Sequence, residues 1–75
     1  MKYNEIKERV GWGEEFFFIY QSEKYWISQN AKGFYLTQVK NSNTQTFKTY
    51  EELFEKGLVD GKTLTEIWDD IKEYF

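Results

Sequence analysis

Residues 14–29, EEFFFIYQSEKYWISQ, contain two β-rich runs joined by a short polar turn, which is the pattern of a β-hairpin. Aromatic and β-branched residues dominate both runs, Glu14 to Gln21 and Lys24 to Gln29, and the Ser22-Glu23 pair between them is a turn signal. A third run of the same kind, Phe34 to Val39, follows a second turn rich in small and polar residues. The lengths and spacings predict an antiparallel β-meander.

The register of the meander decides which rings face inward. A two-residue turn at Ser22-Glu23 would set Tyr20 opposite Tyr25, and a type I turn with a glycine bulge would set Asn30 opposite Phe34. One sheet face then carries Phe17, Ile19, Trp26, Phe34 and Leu36, and the other carries Phe16, Phe18, Tyr20, Tyr25, Ile27, Tyr35 and Val39. A one-residue slip in the second hairpin exchanges the two sets of the third strand. Both faces are apolar in either register, so something has to cover the second face.

A helix is predicted before the strands, and a further strand after them. Asn4 can cap a first helix over Glu5 to Val10, which Gly11 would end in the left-handed conformation. Beyond the third strand, Lys40 to Gln45 reads as a polar loop, after which Thr46-Phe47-Lys48 can add a short fourth strand.

Two C-terminal helices are indicated by the same capping pattern. Thr49-Tyr50-Glu51-Glu52 and Thr63-Leu64-Thr65-Glu66 both match the capping box, in which Thr and Glu satisfy each other's free backbone N–H groups. The first of these helices is expected over Tyr50 to Lys56, ending at Gly57 with Leu58 making the apolar contact of a Schellman cap. The second carries an apolar stripe at helical spacing, made of Leu64, Ile67, Trp68, Ile71, Tyr74 and Phe75.

Residues 1–75 are therefore predicted to form a single α+β domain. Its expected parts are a short N-terminal helix, a three- or four-stranded antiparallel β-meander and two C-terminal helices packed on one sheet face. At this length a core rarely supplies more than about 3 to 5 kcal/mol, and no cysteine is present to add a disulfide. Aromatic packing and self-association are the remaining means of support.

The composition argues against an enzyme. The chain holds three Trp, six Tyr and seven Phe but no His, Cys or Pro, so it lacks the usual catalytic base and the usual zinc ligands. Asp69 and Asp70 are neighbours on a helix and do not face each other across a cleft, as glycosidase carboxylates do. The loop from Gly57 to Thr63 has three residues where the Walker A pattern needs four. We expect no catalytic residue, no metal site and no cofactor.

Charge is uneven along the chain. The net charge is −3, and Thr49 to Phe75 carries eight acids against three lysines. An electrostatic partner of this acidic helical end should be basic, and a DNA-binding helix-turn-helix is disfavoured because phosphates would repel it. No apolar leader is apparent, and the longest apolar run, Phe16 to Tyr20, is too short to span a bilayer. We expect a cytoplasmic protein with no membrane contact.

The aromatic sheet face is the candidate interface. We expect a homodimer that buries this face or pairs an edge strand, and the candidate interface residues are Phe16, Phe18, Tyr20, Tyr25 and Tyr35. The alternative is single-stranded nucleic-acid binding through the same tyrosines, with lysines near the turns. Nucleic acid is disfavoured, because Glu14 to Lys48 has a net charge of only +1 where a basic groove is expected.

A family resemblance points the same way. Its residues are Tyr25-Trp26-Ile27-Ser28 to Phe34-Tyr35-Leu36-Thr37, Tyr50-Glu51-Glu52-Leu53, and Asp60-Gly61-Lys62-Thr63-Leu64-Thr65-Glu66-Ile67-Trp68. This block, covering the last two thirds of the chain, resembles small uncharacterised proteins of Gram-positive bacteria and their prophages, among them the Bacillus prophage family called YopT. The resemblance implies a small α+β homodimer. Its motifs are caps and core residues and carry over no functional site. The expected function is non-catalytic protein binding, as a phage- or prophage-encoded modulator of a host protein.

Overall fold

A computed structural model describes residues 2–75, which form three helices and six strands. In chain order these are α1 (Tyr3–Gly11), β1 (Phe16–Tyr20), β2 (Glu23–Asn30), β3 (Gly33–Gln38), β4 (Asn43–Phe47), α2 (Tyr50–Lys56), β5 (Leu58–Val59), β6 (Lys62–Thr63) and α3 (Leu64–Ile71). Short 3₁₀ turns follow β3 at Val39–Asn41 and α3 at Lys72–Tyr74.

The predicted α+β architecture is confirmed. Strands β1 to β4 form one antiparallel sheet in sequence order, and β5 pairs with β6 in a separate two-stranded hairpin. The helices pack on one face of the sheet, and the body is a two-layer slab of 30 × 28 × 17 Å. Its core lies between the layers and consists of Ile6, Val10, Phe18, Tyr20, Tyr25, Ile27, Leu36, Leu53, Phe54, Val59, Leu64, Ile67 and Ile71.

The turn of the first hairpin lies one residue earlier than the sequence predicts, which shifts the pairing of its two strands by two residues. The turn is Gln21-Ser22, so Tyr20 pairs with Glu23 and Phe18 pairs with Tyr25. A shift of two residues leaves each side chain on its predicted face because strand side chains alternate with a period of two. Phe18 and Tyr25 therefore still share a face, and their rings stack at 5.4 Å.

The second hairpin differs from prediction by one residue, with larger consequences. Asn30 pairs with Gly33, and not with Phe34, across a two-residue turn. The Asn30 Oδ1 atom stabilises this tight turn by accepting hydrogen bonds from the backbone N–H of Lys32 (2.8 Å) and the Tyr35 hydroxyl (2.9 Å). Phe34 and Leu36 consequently face the helices, whereas Tyr35 points to the opposite side.

Strand β4 starts where the sequence predicts a loop. Asn43 to Gln45 is too polar to indicate a strand, yet it pairs with β3 along its length. Two side-chain contacts stabilise β4, one with β3 and one with β5. The Thr37 and Thr44 hydroxyls lie 3.0 Å apart, and the Gln45 amide bonds twice to the Leu58 backbone, donating to its carbonyl (2.6 Å) and accepting from its N–H (2.8 Å).

Helix α1 is longer than predicted at both ends. Lys2, and not Asn4, precedes its first turn, and the Lys2 backbone N–H donates to the Glu5 carboxylate at 3.3 Å. Gly11 is helical, and its hydrogen in place of a side chain makes room for the Tyr50 ring, which a Cβ would meet at 3.0 Å. The left-handed residue is Gly13, with φ of +108°.

The two C-terminal helices begin at their predicted caps. Thr49 accepts from the Glu52 N–H at 3.1 Å, and Thr63 and Glu66 form the complete reciprocal box. The predicted Schellman cap after α2 is wrong, since Gly57 has φ of −62° and leads directly into β5, leaving Leu58 exposed. The core side of α3 is Leu64, Ile67 and Ile71.

Trp68 lies at the margin of the core and not at its centre. Its ring packs against Tyr3 at 5.2 Å and Phe75 at 5.5 Å, and part of it stays exposed to solvent. A helix that lies on a flat sheet buries its central residues fully and those at the sides of its stripe only in part.

Candidate interaction surface

The sheet has one face that no element covers within residues 2–75. Its helical side is buried, and the strand register assigns the alternate residues to the outer side. We call this side the outer face, and it consists of Phe17, Ile19, Lys24, Trp26, Ser28, Tyr35, Thr37, Thr44 and Thr46.

The outer face is apolar at its β1 and β2 end. The rings of Phe17 and Trp26 stack at 5.6 Å with an interplanar angle of 4°. The Lys24 ammonium lies 4.5 Å from the centroid of the Phe17 ring, a cation–π contact worth about 0.5 to 1 kcal/mol at an exposed site. Phe17 is 49% exposed and Ile19 is 43% exposed, so about half of each apolar side chain faces water.

The other end of the outer face is polar and internally satisfied. The Tyr35 hydroxyl donates to Asn30, and the hydroxyls of Thr37 and Thr44 bond to each other. The apolar end, by contrast, holds one unsatisfied donor, the Trp26 indole, whose Nε1–H is buried without a hydrogen-bond partner among the described residues. A buried N–H group without a hydrogen-bond partner costs free energy, so the end of the outer face that contains Trp26 is the less well hydrogen-bonded of the two ends.

The helical layer and the outer face of the sheet differ in charge. Within β1 to β4, the charged residues are Glu23 and Lys24, and only Lys24 belongs to the outer face. Glu23 pairs with Lys40 at 3.9 Å at the rim of the sheet. The helices carry the acids, among them Glu51, Glu52, Glu55, Glu66, Asp69 and Asp70. The outer face is therefore nearly neutral, and the helical layer is acidic.

The predicted interface residues do not form one exposed surface. Phe18, Tyr20 and Tyr25 belong to the core, with 1%, 5% and 5% of their surfaces exposed, and Phe16 is half-buried with its ring 5.3 Å from Phe75. The prediction that this face meets a partner is corrected, because the helices of the same chain cover it. Only Tyr35 of the predicted set lies on the outer face.

The rim of the core holds the tyrosine hydroxyls near charged groups. Burial raises the pKa of Tyr25 above its usual value, and the nearby carboxylates of Asp60 and Glu23 raise it further. The Lys62 ammonium donates to the Tyr20 hydroxyl at 3.4 Å, and this hydrogen bond raises the lysine's pKa.

The residues that sequence reasoning passed over are Phe17, Ile19 and Trp26. They belong to the set opposite the tyrosines, which the sequence also shows to be apolar. A usable signal lies in β2, where Lys24, Trp26 and Ser28 alternate with Tyr25 and Ile27. The set that contains a lysine and a serine is the better candidate for the solvent side of a sheet.

Other surface features are modest. A shallow open depression of about 260 Å³ lies between α1 and the start of α2, lined by Asn4, Lys7, Glu8, Tyr50 and Glu51. Residues 2–75 include no group of three His, Cys, Asp or Glu side chains placed to hold a metal ion. In the same part of the chain, every helix is too short or too polar to cross a membrane.

Comparisons of the chain with protein-family models, with curated proteins and with solved structures found no match.

Proposed function

We propose that this protein is a non-catalytic protein-binding domain that uses the outer face of its sheet and assembles as a homodimer. The observation that carries the proposal is the half-exposed pair Phe17 and Ile19 beside the Trp26 ring, on a face that the described chain leaves uncovered. Contiguous apolar surface of this kind marks interaction sites in soluble proteins.

The low charge of the outer face favours a second copy as the partner. A two-fold interface brings the same residues of both copies together, so a patch with little charge avoids setting like charges close to each other. Lys24 is the only charged strand residue on this face, and its ammonium already lies over the Phe17 ring. The acidic helical layer points the other way and stays available to a basic protein partner.

The test is the mass of the protein in solution. Light scattering during size exclusion at high micromolar concentration should give twice the 9.2 kDa of one chain. Phe17→Thr keeps a residue suited to a strand but removes the apolar ring, and it should shift the mass toward the monomer. Leu58→Thr is the matched control, because Leu58 is 47% exposed on β5 and away from the sheet face. A monomer at every concentration would contradict the proposed dimer.

Single-stranded nucleic-acid binding is the second candidate, and one observation favours it. Three aromatic residues, Phe17, Trp26 and Tyr35, share the outer face with Lys24. Bases stack on rings displayed in this way by sheet-based binding modules. The proposal ranks second because one lysine makes a weak electrostatic guide for a phosphate backbone.

The role as a phage- or prophage-encoded modulator of a host protein stays a prediction, as does the cytoplasmic location. Both follow from the sequence and not from the geometry. For any protein partner, an acidic helical layer on a small domain suits contact with a basic surface.

A further inference from the structure

We propose that two copies of this chain join their β1 strands edge to edge, antiparallel, around a two-fold axis at Phe18, so that their sheets become one continuous sheet. This inference rests on the proposed homodimer and specifies the contact that forms it. The seam would run along the apolar end of the outer face.

The free edge of β1 is available for pairing. Strand order places β1 at one edge of the sheet, where β2 is its only neighbour. In an antiparallel sheet every second residue of an edge strand directs its N–H and C=O groups away from the sheet. Within residues 2–75, no backbone hydrogen bond from another segment reaches that edge of Phe16–Tyr20.

The two edges of the sheet differ in the features that discourage pairing. Natural proteins protect edge strands with charges, prolines, bulges or a covering segment. The opposite edge, β4, is polar from Asn43 to Thr46, and exposed Lys48 follows it. β1 reads Phe-Phe-Phe-Ile-Tyr, with no charge and no proline, and it pairs with β2 residue for residue without a bulge. An edge of this kind is stable in water when a partner covers it.

A register centred on Phe18 makes β1 complementary to itself. Each residue then meets the partner's residue at the same distance on the other side of the axis, so Phe17 faces the partner's Ile19 and Phe16 faces the partner's Tyr20. Glu15 faces the partner's Gln21, so carboxylates do not face each other. Centring the seam on Phe17 would instead set Glu15 against the partner's Ile19, and centring it on Ile19 would set Phe16 against the partner's turn.

The same register extends the apolar end of the outer face. The Trp26 ring already stacks on Phe17, and pairing would place the partner's Ile19 on the other side of Phe17. The two half-exposed residues of β1 would each lose part of their solvent contact through side-by-side packing, whereas the polar β4 end of each sheet would stay at the outside of the dimer. This is the isologous arrangement that a two-fold interface requires.

The absence of cysteine makes a cross-linking test unambiguous. Phe17→Cys and Ile19→Cys are prepared as separate proteins, and one of them carries a larger tag. The two proteins are mixed and oxidised with glutathione disulfide. A non-reducing gel then separates the mixed disulfide from the two homodisulfides by size. In the proposed seam Phe17 lies directly opposite the partner's Ile19, at about 4.5 to 5.5 Å, whereas each residue lies diagonal to its own copy, at about 7 to 8 Å. A disulfide spans only about 4.4 to 6.8 Å between Cα atoms. The mixed disulfide should therefore exceed either homodisulfide at least about fivefold.

Thr44→Cys mixed with Thr46→Cys is the matched control, because these residues flank Gln45 at the centre of β4 as Phe17 and Ile19 flank Phe18. This pair should give no preferred mixed product. Circular dichroism melts check that each variant folds, and light scattering sets a protein concentration at which the mixed variants are still dimeric, because loss of the Phe17 ring weakens the proposed dimer. A dimer by light scattering with no excess of the β1 mixed disulfide, or equal cross-linking at β4, would overturn the β1 seam and leave the proposed dimer standing. A monomer would overturn both.

Discussion

At the scale of single residues, the turn between β1 and β2 is strained. Gln21 and Ser22 have φ of +52° and +65°, the left-handed values of a type I′ turn. Asn and Gly are the usual residues there, because other side chains lose about 1 to 2 kcal/mol in this conformation. The hairpin forms because pairing from Phe16–Ile27 to Tyr20–Glu23 compensates for the cost of its turn.

Ser22→Gly should stabilise the protein. The substitution removes the left-handed penalty, and the greater freedom of glycine in the unfolded chain offsets part of the gain. We expect the free energy of unfolding to rise by about 0.5 to 1 kcal/mol, measured by urea denaturation.

Gly61→Ser provides the reciprocal control for that substitution. Gly61 has φ of +77°, and a Cβ there would meet nothing within 4 Å, so only its backbone conformation is at issue. The Gly61→Ser protein should lose roughly as much free energy of unfolding as the Ser22→Gly protein gains. Equal stability of all three proteins would show that the turns carry no strain.

At the scale of elements, the helix starts follow local chemistry and the polar strand does not. Thr49 and Thr63 cap α2 and α3 through hydrogen bonds within four residues of sequence. β4 depends on distant partners, since Gln45 reaches Leu58 on the β5 hairpin. Elements with local partners could be predicted from the sequence, whereas those with distant partners could not.

The capping box of α3 makes part of the stability depend on pH. The Thr63 backbone N–H donates to the Glu66 carboxylate at 3.0 Å and is the main cause of its lowered pKa, with the Thr63 hydroxyl adding to the effect. A carboxyl whose pKa is lower in the folded state stabilises the fold above its ordinary pKa of 4.5. That stabilisation is lost as the pH falls below 4.5 and through the folded-state pKa.

Glu66→Gln should therefore be less stable than the parent at about pH 7, and the difference should shrink at about pH 3. Urea denaturation at both pH values measures it. Glu52→Gln is the control, because Glu52 stands at the same position of α2 but makes no reciprocal bond to Thr49. A stability gap at position 66 that is the same at both pH values would argue against the box as its source.

At the scale of the whole molecule, the two layers have different surfaces. The helical layer carries most of the acids, and the outer face of the sheet carries apolar rings with one lysine. A slab only 17 Å thick keeps both surfaces close together. At low ionic strength, where the Debye length reaches about 30 Å, the acids repel a phosphate backbone on the outer face across the slab, whereas at physiological salt this repulsion is largely screened and one lysine supplies little attraction.

We therefore expect a labelled single-stranded oligonucleotide of mixed sequence not to bind, even at low salt. Fluorescence anisotropy of the label, with tryptophan emission as a second signal, measures this. Micromolar binding that weakens as salt rises and disappears in Tyr35→Ala, but not in Tyr74→Ala, would instead support nucleic-acid binding. Tyr74 is the matched control because it is 42% exposed on the C-terminal 3₁₀ turn, outside the sheet.

The amino-acid sequence was enough to predict the fold class, the start of both C-terminal helices and the alternation of side chains along β1 and β2. Each depends on residues close together in the chain, through capping hydrogen bonds or strand periodicity. Which side of the sheet is core came from tertiary packing, with Lys24 and Ser28 as the one sequence signal for the solvent side. Both sides are largely apolar in the sequence, and the choice depended on which face the helices cover; the one-residue difference at the Asn30 turn decided which residues of β3 join that face. Packing over long sequence distances made that choice, and so Tyr20 and Tyr25 are buried while Phe17 and Ile19 remain at the surface.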